Sequence, residues 1–151
     1  MTITRYIISL CTVALAFSVS AVCLDPKTGV SGYRIPLNEE VSSTKSIAIG
    51  KITKKRPFSE NLSNPELAIV HIYSVQVTRT LKGQLPKAIN IRVEQDSGRY
   101  VMDVGEKHLF FLNQENDYFI VDSCGNSSPL PDGNAVLKQV ETQLNQKSNK
   151  P

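Results

Sequence analysis

The sequence predicts an all-β domain: a small five-stranded barrel followed by a C-terminal α-helix. Three observations carry that expectation. Five short segments rich in β-branched and aromatic residues are separated by Gly, Pro, Asn and Asp turn signals. The segment Ala88 to Glu94 alternates strictly, with Ile89, Ile91 and Val93 in one phase and Asn90, Arg92 and Glu94 in the other. Near the end, Val136, Val140 and Leu144 recur every four residues, which is a helical period.

The chain opens with the three parts of a secretory signal peptide in residues 1–21. Arg5 supplies the charge, Ile7 to Phe17 the apolar stretch, and Ser18-Val19-Ser20-Ala21 the small-residue cleavage region. A cut after Ala21 is expected, with Ser20 as the second choice. The apolar run is short for a bilayer span, which takes about 20 residues, and no later segment could cross a membrane. The expected address is periplasmic or secreted. Of three cysteines, Cys11 leaves with the signal, so Cys23 and Cys124 form an isolated pair in an oxidising compartment and are expected to be disulfide-bonded. About 130 residues remain, one domain by size. The net charge of +3 falls to +2 with the loss of Arg5, a balance that argues against nucleic acid or an anionic membrane as partner. A monomer is expected.

Residues 22–44 read as an irregular arm with Pro26, Gly29, Gly32 and Pro36. The barrel is expected over 45–130. Its first strand is Lys45 to Lys54, with Gly50 as a bulge or close-approach point. A polar loop follows from Lys55 to Glu66. The second strand, Leu67 to Leu81, changes phase between Val70/Ile72 and Val75/Val77, which predicts a bulge near Tyr73-Ser74. Ala88 to Glu94 is the third strand. Lys107 to Leu112, apolar on both faces, is a central fourth strand, and Asn116-Asp117 turns the chain into the fifth, Tyr118 to Asp122. The helix is expected over 131–147, capped by Asp132, with 148–151 frayed. The OB-fold is the commonest five-stranded barrel, so the fold class is OB-fold-like.

Several of these residues also recur in a known family. An Ala48-to-Ile52 first strand with Gly50, a long second strand ending in Leu81-Lys82-Gly83, the series Gly105, Leu109, Leu112, and Cys124-Gly125 after the fifth strand together resemble the tissue inhibitor of metalloproteinases-like (netrin-module-like) OB-fold family, in its short exported bacterial form. The resemblance spans about Cys23 to Pro129. It implies a non-enzymatic binding module for a protein partner or envelope ligand; the alternative is an inhibitor of a secreted hydrolase, either a metalloprotease or lysozyme. In the animal inhibitors the amino group and carbonyl of an N-terminal cysteine chelate the target's zinc. Here a cut after Ala21 leaves Val22 in front of Cys23, so the expected role of Cys23 is to fasten the arm.

No constellation for catalysis is found, and no cofactor or metal is expected. His71 and His108 each stand within an apolar strand without a ligand-spaced neighbour, although they could meet across adjacent strands. The carboxylates Glu94, Asp96, Asp103, Glu106, Asp117 and Asp122 are scattered. The string Ser97-Gly98-Arg99-Tyr100 resembles the Ser-Gly-x-Tyr element of exported C-type lysozyme inhibitors and, with the Cys23 arm and the turn after Cys124, forms the candidate binding surface. The basic run Lys51, Lys54, Lys55, Arg56 reads as a solvated strand end or as a patch for an acidic partner. Glycosylation sequons occur at Asn61 and Asn126.

Overall fold

The computed structural model describes residues 23–59, 70–94 and 99–148. The expected signal peptide, the loop 60–66 with the first residues of the expected second strand, and the last three residues lie outside that set. In chain order the elements are α1 (Leu37–Ser43), β1 (Ser46–Phe58), β2 (Val70–Lys82), β3 (Ala88–Glu94), β4 (Lys107–Glu115), β5 (Tyr118–Ile120), β6 (Ser128–Pro129) and α2 (Asn134–Ser148). The chain is mostly β and ends in a helix, as expected. The sheet runs β1-β2-β3-β5-β4-β6, and β1 also pairs with β4. Five strands therefore close into a ring, with β6 against the far edge of β4. All pairings are antiparallel except that of β3 with β5, where Ile91 lies beside Phe119.

Strand β3 occupies the expected residues and buries Ile89, Ile91 and Val93. The phase change in β2 is also present, because Val70 and Ile72 are buried in one phase and Tyr73 and Val75 in the other. The irregularity beside Tyr73-Ser74 belongs to the partner, however. Ile52 faces Val75 and Lys54 faces Ser74, so Thr53 is the extra residue and β1 carries the bulge there. A second register shift falls at Ile49/Gly50. A Cβ on Gly50 would lie 2.5 Å from Val75 Cγ1, so glycine is needed for the close approach. Asn116 turns the β4–β5 hairpin with φ 52°, a left-handed conformation that asparagine tolerates better than most residues.

Ring closure gives the sheet two apolar surfaces. The inner one collects Ile52, Tyr73, Val75, Ile89, Ile91, Val93, Met102, Phe110 and Leu112. On the outer one, Ile47, Leu109 and Phe111 pack against Val41 of α1 and Val140 of α2. Strand β4 serves both. Phe110 and Leu112 point into the ring, while Leu109 and Phe111 point toward the helices, which is why KHLFFL has no polar face.

The arm is not wholly irregular, since α1 occupies Leu37–Ser43. At seven residues it is too short to be stable by itself, and tertiary contacts hold it on two sides. Lys82 Nζ donates to the carbonyls of Val41, Ser42 and Thr44, satisfying orphan acceptors at the helix C-terminus. Burial pulls the Lys82 ammonium below the ordinary lysine range, with a smaller push from Lys147. The next residue, Gly83, takes φ 75°, and a Cβ there would stand 2.6 Å from Lys45 O. On the other side, Glu40 is buried and accepts from both Asn126 N and Nδ2 at 2.7 Å. Burial pushes the Glu40 carboxyl pKa up, against the bonds from Asn126. The Cys23–Cys124 disulfide is formed, with Cα atoms 5.6 Å apart, and Ile35 N donates to Cys124 O.

Two stability measurements check this account. Lys82→Met is expected to cost about 1.5–3 kcal/mol, the range for hydrogen bonds to a charged group, and Gly83→Ala at least about 1 kcal/mol from its φ alone. Urea unfolding reads both, with exposed Lys27→Ala unchanged as control. The disulfide spans 101 residues of sequence. Its replacement by Cys23→Ser with Cys124→Ser is expected to cost about 2–5 kcal/mol, and an unchanged midpoint would contradict a structural role.

Candidate functional site

Strand β3 is joined to β5 by the single pair Ile91 and Phe119, so the ring is thin at this seam. The chain from Arg99 to Glu106 closes it. Met102 is 1 % exposed in the inner core, and Tyr100 packs against the same cluster. Above that plug lies a groove of about 250 Å³, lined by Arg92, Val93, Glu94, Arg99, Tyr100, Glu115, Ile120 and Val121. Its floor is apolar and its rim carries two arginines and two glutamates. Arg92 folds back onto Glu94, with Nη2 and Nε 2.8 and 3.1 Å from Oε1. Opposed charges around an apolar floor suit a polypeptide or zwitterionic surface better than a simple ion.

The plug is held by a hydrogen-bonded chain that runs through buried His108 to exposed Glu106. Tyr100 Oη is 2.7 Å from His108 Nδ1, and His108 Nε2 is 2.9 Å from Glu106 Oε2. His108 is 1 % exposed, stacked on Phe110 and edge-on to Tyr100. Burial, and then the Glu106 charge, raise the Tyr100 pKa well above the ordinary phenol range. Its hydroxyl therefore stays protonated and pairs with Nδ1, while Nε2 pairs with the Glu106 carboxylate. The bond from His108, followed by that from Asp103 N, lowers the Glu106 pKa. Among the described residues no buried side-chain nitrogen or oxygen is left without a partner. The arrangement locks 99–106 onto β4; no serine or cysteine nucleophile takes part.

The structure separates the residues of the candidate surface. Ser97 and Gly98 lie outside the described residues. Arg99 is exposed on the groove rim, whereas Tyr100 turns inward to His108. The arm is pinned to the Cys124 turn by the disulfide, by Ile35 and by Arg34 Nη1 to Gly125 O at 3.3 Å. Cys23 O accepts from Tyr33 N at 3.0 Å, so the carbonyl that zinc chelation would use is already engaged within the arm.

The two histidines do not meet: His71 faces Pro57 and His108 faces Gly50, on opposite sides of β1. Among the described residues no group of three His, Cys, Asp or Glu side chains is placed to hold a metal ion. The Asn126 amide is spent on Glu40 and Ile35 O, so this sequon offers no free nitrogen. What the sequence reading missed was the partnership of Tyr100, Glu106 and His108. Glu106 and His108 are two apart on one strand face, a legible spacing, but Tyr100 arrives through tertiary folding.

No family model matches this chain, and no curated protein matches it significantly.

Tyr100→Phe removes the hydroxyl that pairs with His108 Nδ1 without opening a cavity, and is expected to cost about 1–3 kcal/mol. Because the folded Tyr100 pKa lies above its unfolded value near 10, its contribution is fully present below pH 10 and declines as pH rises beyond it. Urea midpoints of wild type and Tyr100→Phe should therefore converge above pH 10. A gap that widens there would contradict the assignment.

Proposed function

We propose that this protein is an exported, non-catalytic OB-type module, of the kind found in the tissue inhibitor of metalloproteinases-like family, that binds a protein partner or envelope ligand. The observation that carries the reading is the closed strand order β1-β2-β3-β5-β4-β1 with a parallel β3–β5 contact. An OB-type barrel is a partly open five-stranded barrel, and here the thin seam holds the groove. The disulfide fits an oxidising compartment, and no described helix is long and apolar enough to cross a membrane. The apolar floor and mixed-charge rim favour a polypeptide surface as ligand. Exposed Leu24 and Val30 on the disulfide-held arm favour inhibition of a secreted hydrolase as the second reading. Any such inhibition would use the arm as a wedge, since a cut after Ala21 leaves Val22 in front of the Cys23 amide.

The test begins with N-terminal sequencing of protein recovered from the source, where a start at Val22 is expected. Tagged wild type and an Arg99→Glu, Glu115→Lys variant, both altered only at exposed groove positions, are then compared as baits in envelope extract. Partner recovery should fall at least tenfold for the variant while its urea midpoint is kept. Equal recovery would remove the groove as the contact surface.

A further inference from the structure

Strand β1 outruns one of its neighbours. On the β4 side its pairing ends at Lys51 with Lys107. The amide and carbonyl of Ile52 then bond to Glu106 O and Gly105 N at 2.9 and 2.8 Å, which finishes that edge. Beyond it, among the described residues, β2 alone pairs with β1, from Lys54 with Ser74 to Phe58 with Val70. Thr53, Lys54, Lys55, Arg56 and Pro57 are all exposed. Both faces of this stretch are therefore exposed, and among the described residues no strand pairs with its outer edge. A proline in a paired strand turns its nitrogen away from its partner, having no N–H to give the ladder. Pro57 thus sets the parity, and the N–H and C=O of Lys55, two residues earlier, point to the same open edge.

Basic side chains flank that edge on both faces. Lys54 and Arg56 share one, and Lys55 lies on the other with Nζ 5.4 Å from the centre of the Tyr73 ring. The field reaches further, because the pKa of His71, paired with Pro57, is lowered first by burial and then by the charges of Lys55 and Arg99. Lysine and proline on an open edge oppose pairing with another copy, which would bring like charges together. An acidic strand meets no charge barrier and loses only the one bond that Pro57 cannot donate, so the charges that exclude the wrong partner admit one class of right partner.

We propose that the open edge of β1 from Thr53 to Pro57 receives an extended acidic segment of a partner polypeptide, added to the sheet as a further strand. The edge offers the N–H and C=O of Lys55 and the C=O of Pro57 at strand spacing, a pattern that another extended backbone matches. The stretch is about 17 Å long at about 3.3 Å per residue, room for five residues of the segment. Side chains alternating between acidic and apolar would meet the basic groups on one face at a time. This surface rests on the binding reading above but is separate from the groove, so the two fail independently.

The test uses the full mature protein and a fluorescein-labelled peptide of alternating Glu and Val at low ionic strength, read by anisotropy. Saturable binding is expected, weakened at least tenfold by Lys54→Glu with Arg56→Glu. That variant should instead bind a peptide of alternating Lys and Val. Methylating alternate backbone nitrogens of the acidic peptide should abolish binding, an effect that a merely charged patch would not show. Glu115→Lys, in the groove, should leave binding unchanged. Circular dichroism and the urea midpoint check that the exposed substitutions leave the fold intact. Failure of the unmodified peptide to bind, or equal binding of the methylated one, overturns strand addition. Equally charge-sensitive binding to anionic phospholipid vesicles overturns a polypeptide as occupant, and loss of binding in Glu115→Lys moves the peptide to the groove.

Discussion

The structure depends on one pairing, that of β1 with β4 from Ser46–Leu112 to Lys51–Lys107. Without it the sheet is an open meander with a free edge at each end and one side too many exposed. With it, the sheet acquires an inside and an outside, and each needs its own apolar residues. The inside is filled by β1, β2, β3 and β4 together with the inserted Met102 and Tyr100. The outside is covered by α1 and α2. β4 has to supply both, and its sequence is apolar throughout for that reason.

The same pairing decides where binding surfaces can be. β4 starts at Lys107, so among the described residues β1 has no partner on that side beyond Ile52. β5 meets β3 only at Ile91 and Phe119, so the seam must be closed by a segment that is not a strand. The Tyr100–His108–Glu106 chain performs that closure by fixing the segment to β4 rather than to β3. A groove rimmed by Arg92, Arg99, Glu94 and Glu115 results. Both openings are consequences of how short strands meet in a staggered ring, and both carry exposed charge over an apolar or backbone base.

Lys82-Gly83 shows how an unremarkable dipeptide gains meaning from context. In the sequence it reads as a turn. In the fold the lysine caps a helix forty residues earlier, and the glycine takes a conformation and a contact with Lys45 O that a side chain would forbid. Glu40 and Asn126 form a similar pair at the middle of α1. Such buried polar partnerships are strongly constrained, since each atom left unpaired would be costly. They cannot be read from spacing, because the partners lie 38 to 86 residues apart.

The sequence alone determined the order of the strands β1 to β5, the inward phase of Ile89, Ile91 and Val93, the two-sided burial of β4, the terminal helix and the joining of Cys23 to Cys124. Each of these follows from local periodicity or from counting, and local periodicity survives folding when one face is buried. The sequence ended the first strand at Lys54, however, and read Lys55 to Phe58 as loop, where β1 runs on to Phe58 by pairing with β2. Tertiary structure decided the rest. It put the bulge on Thr53 rather than beside Tyr73, because a register shift belongs to a pair of strands and not to one. It made α1 from a stretch with no helical signal, through Lys82 and Asn126. It turned Tyr100 inward and left Arg99 outside, because the buried imidazole of His108 is satisfied by the Tyr100 hydroxyl, which reaches it only once the chain has folded.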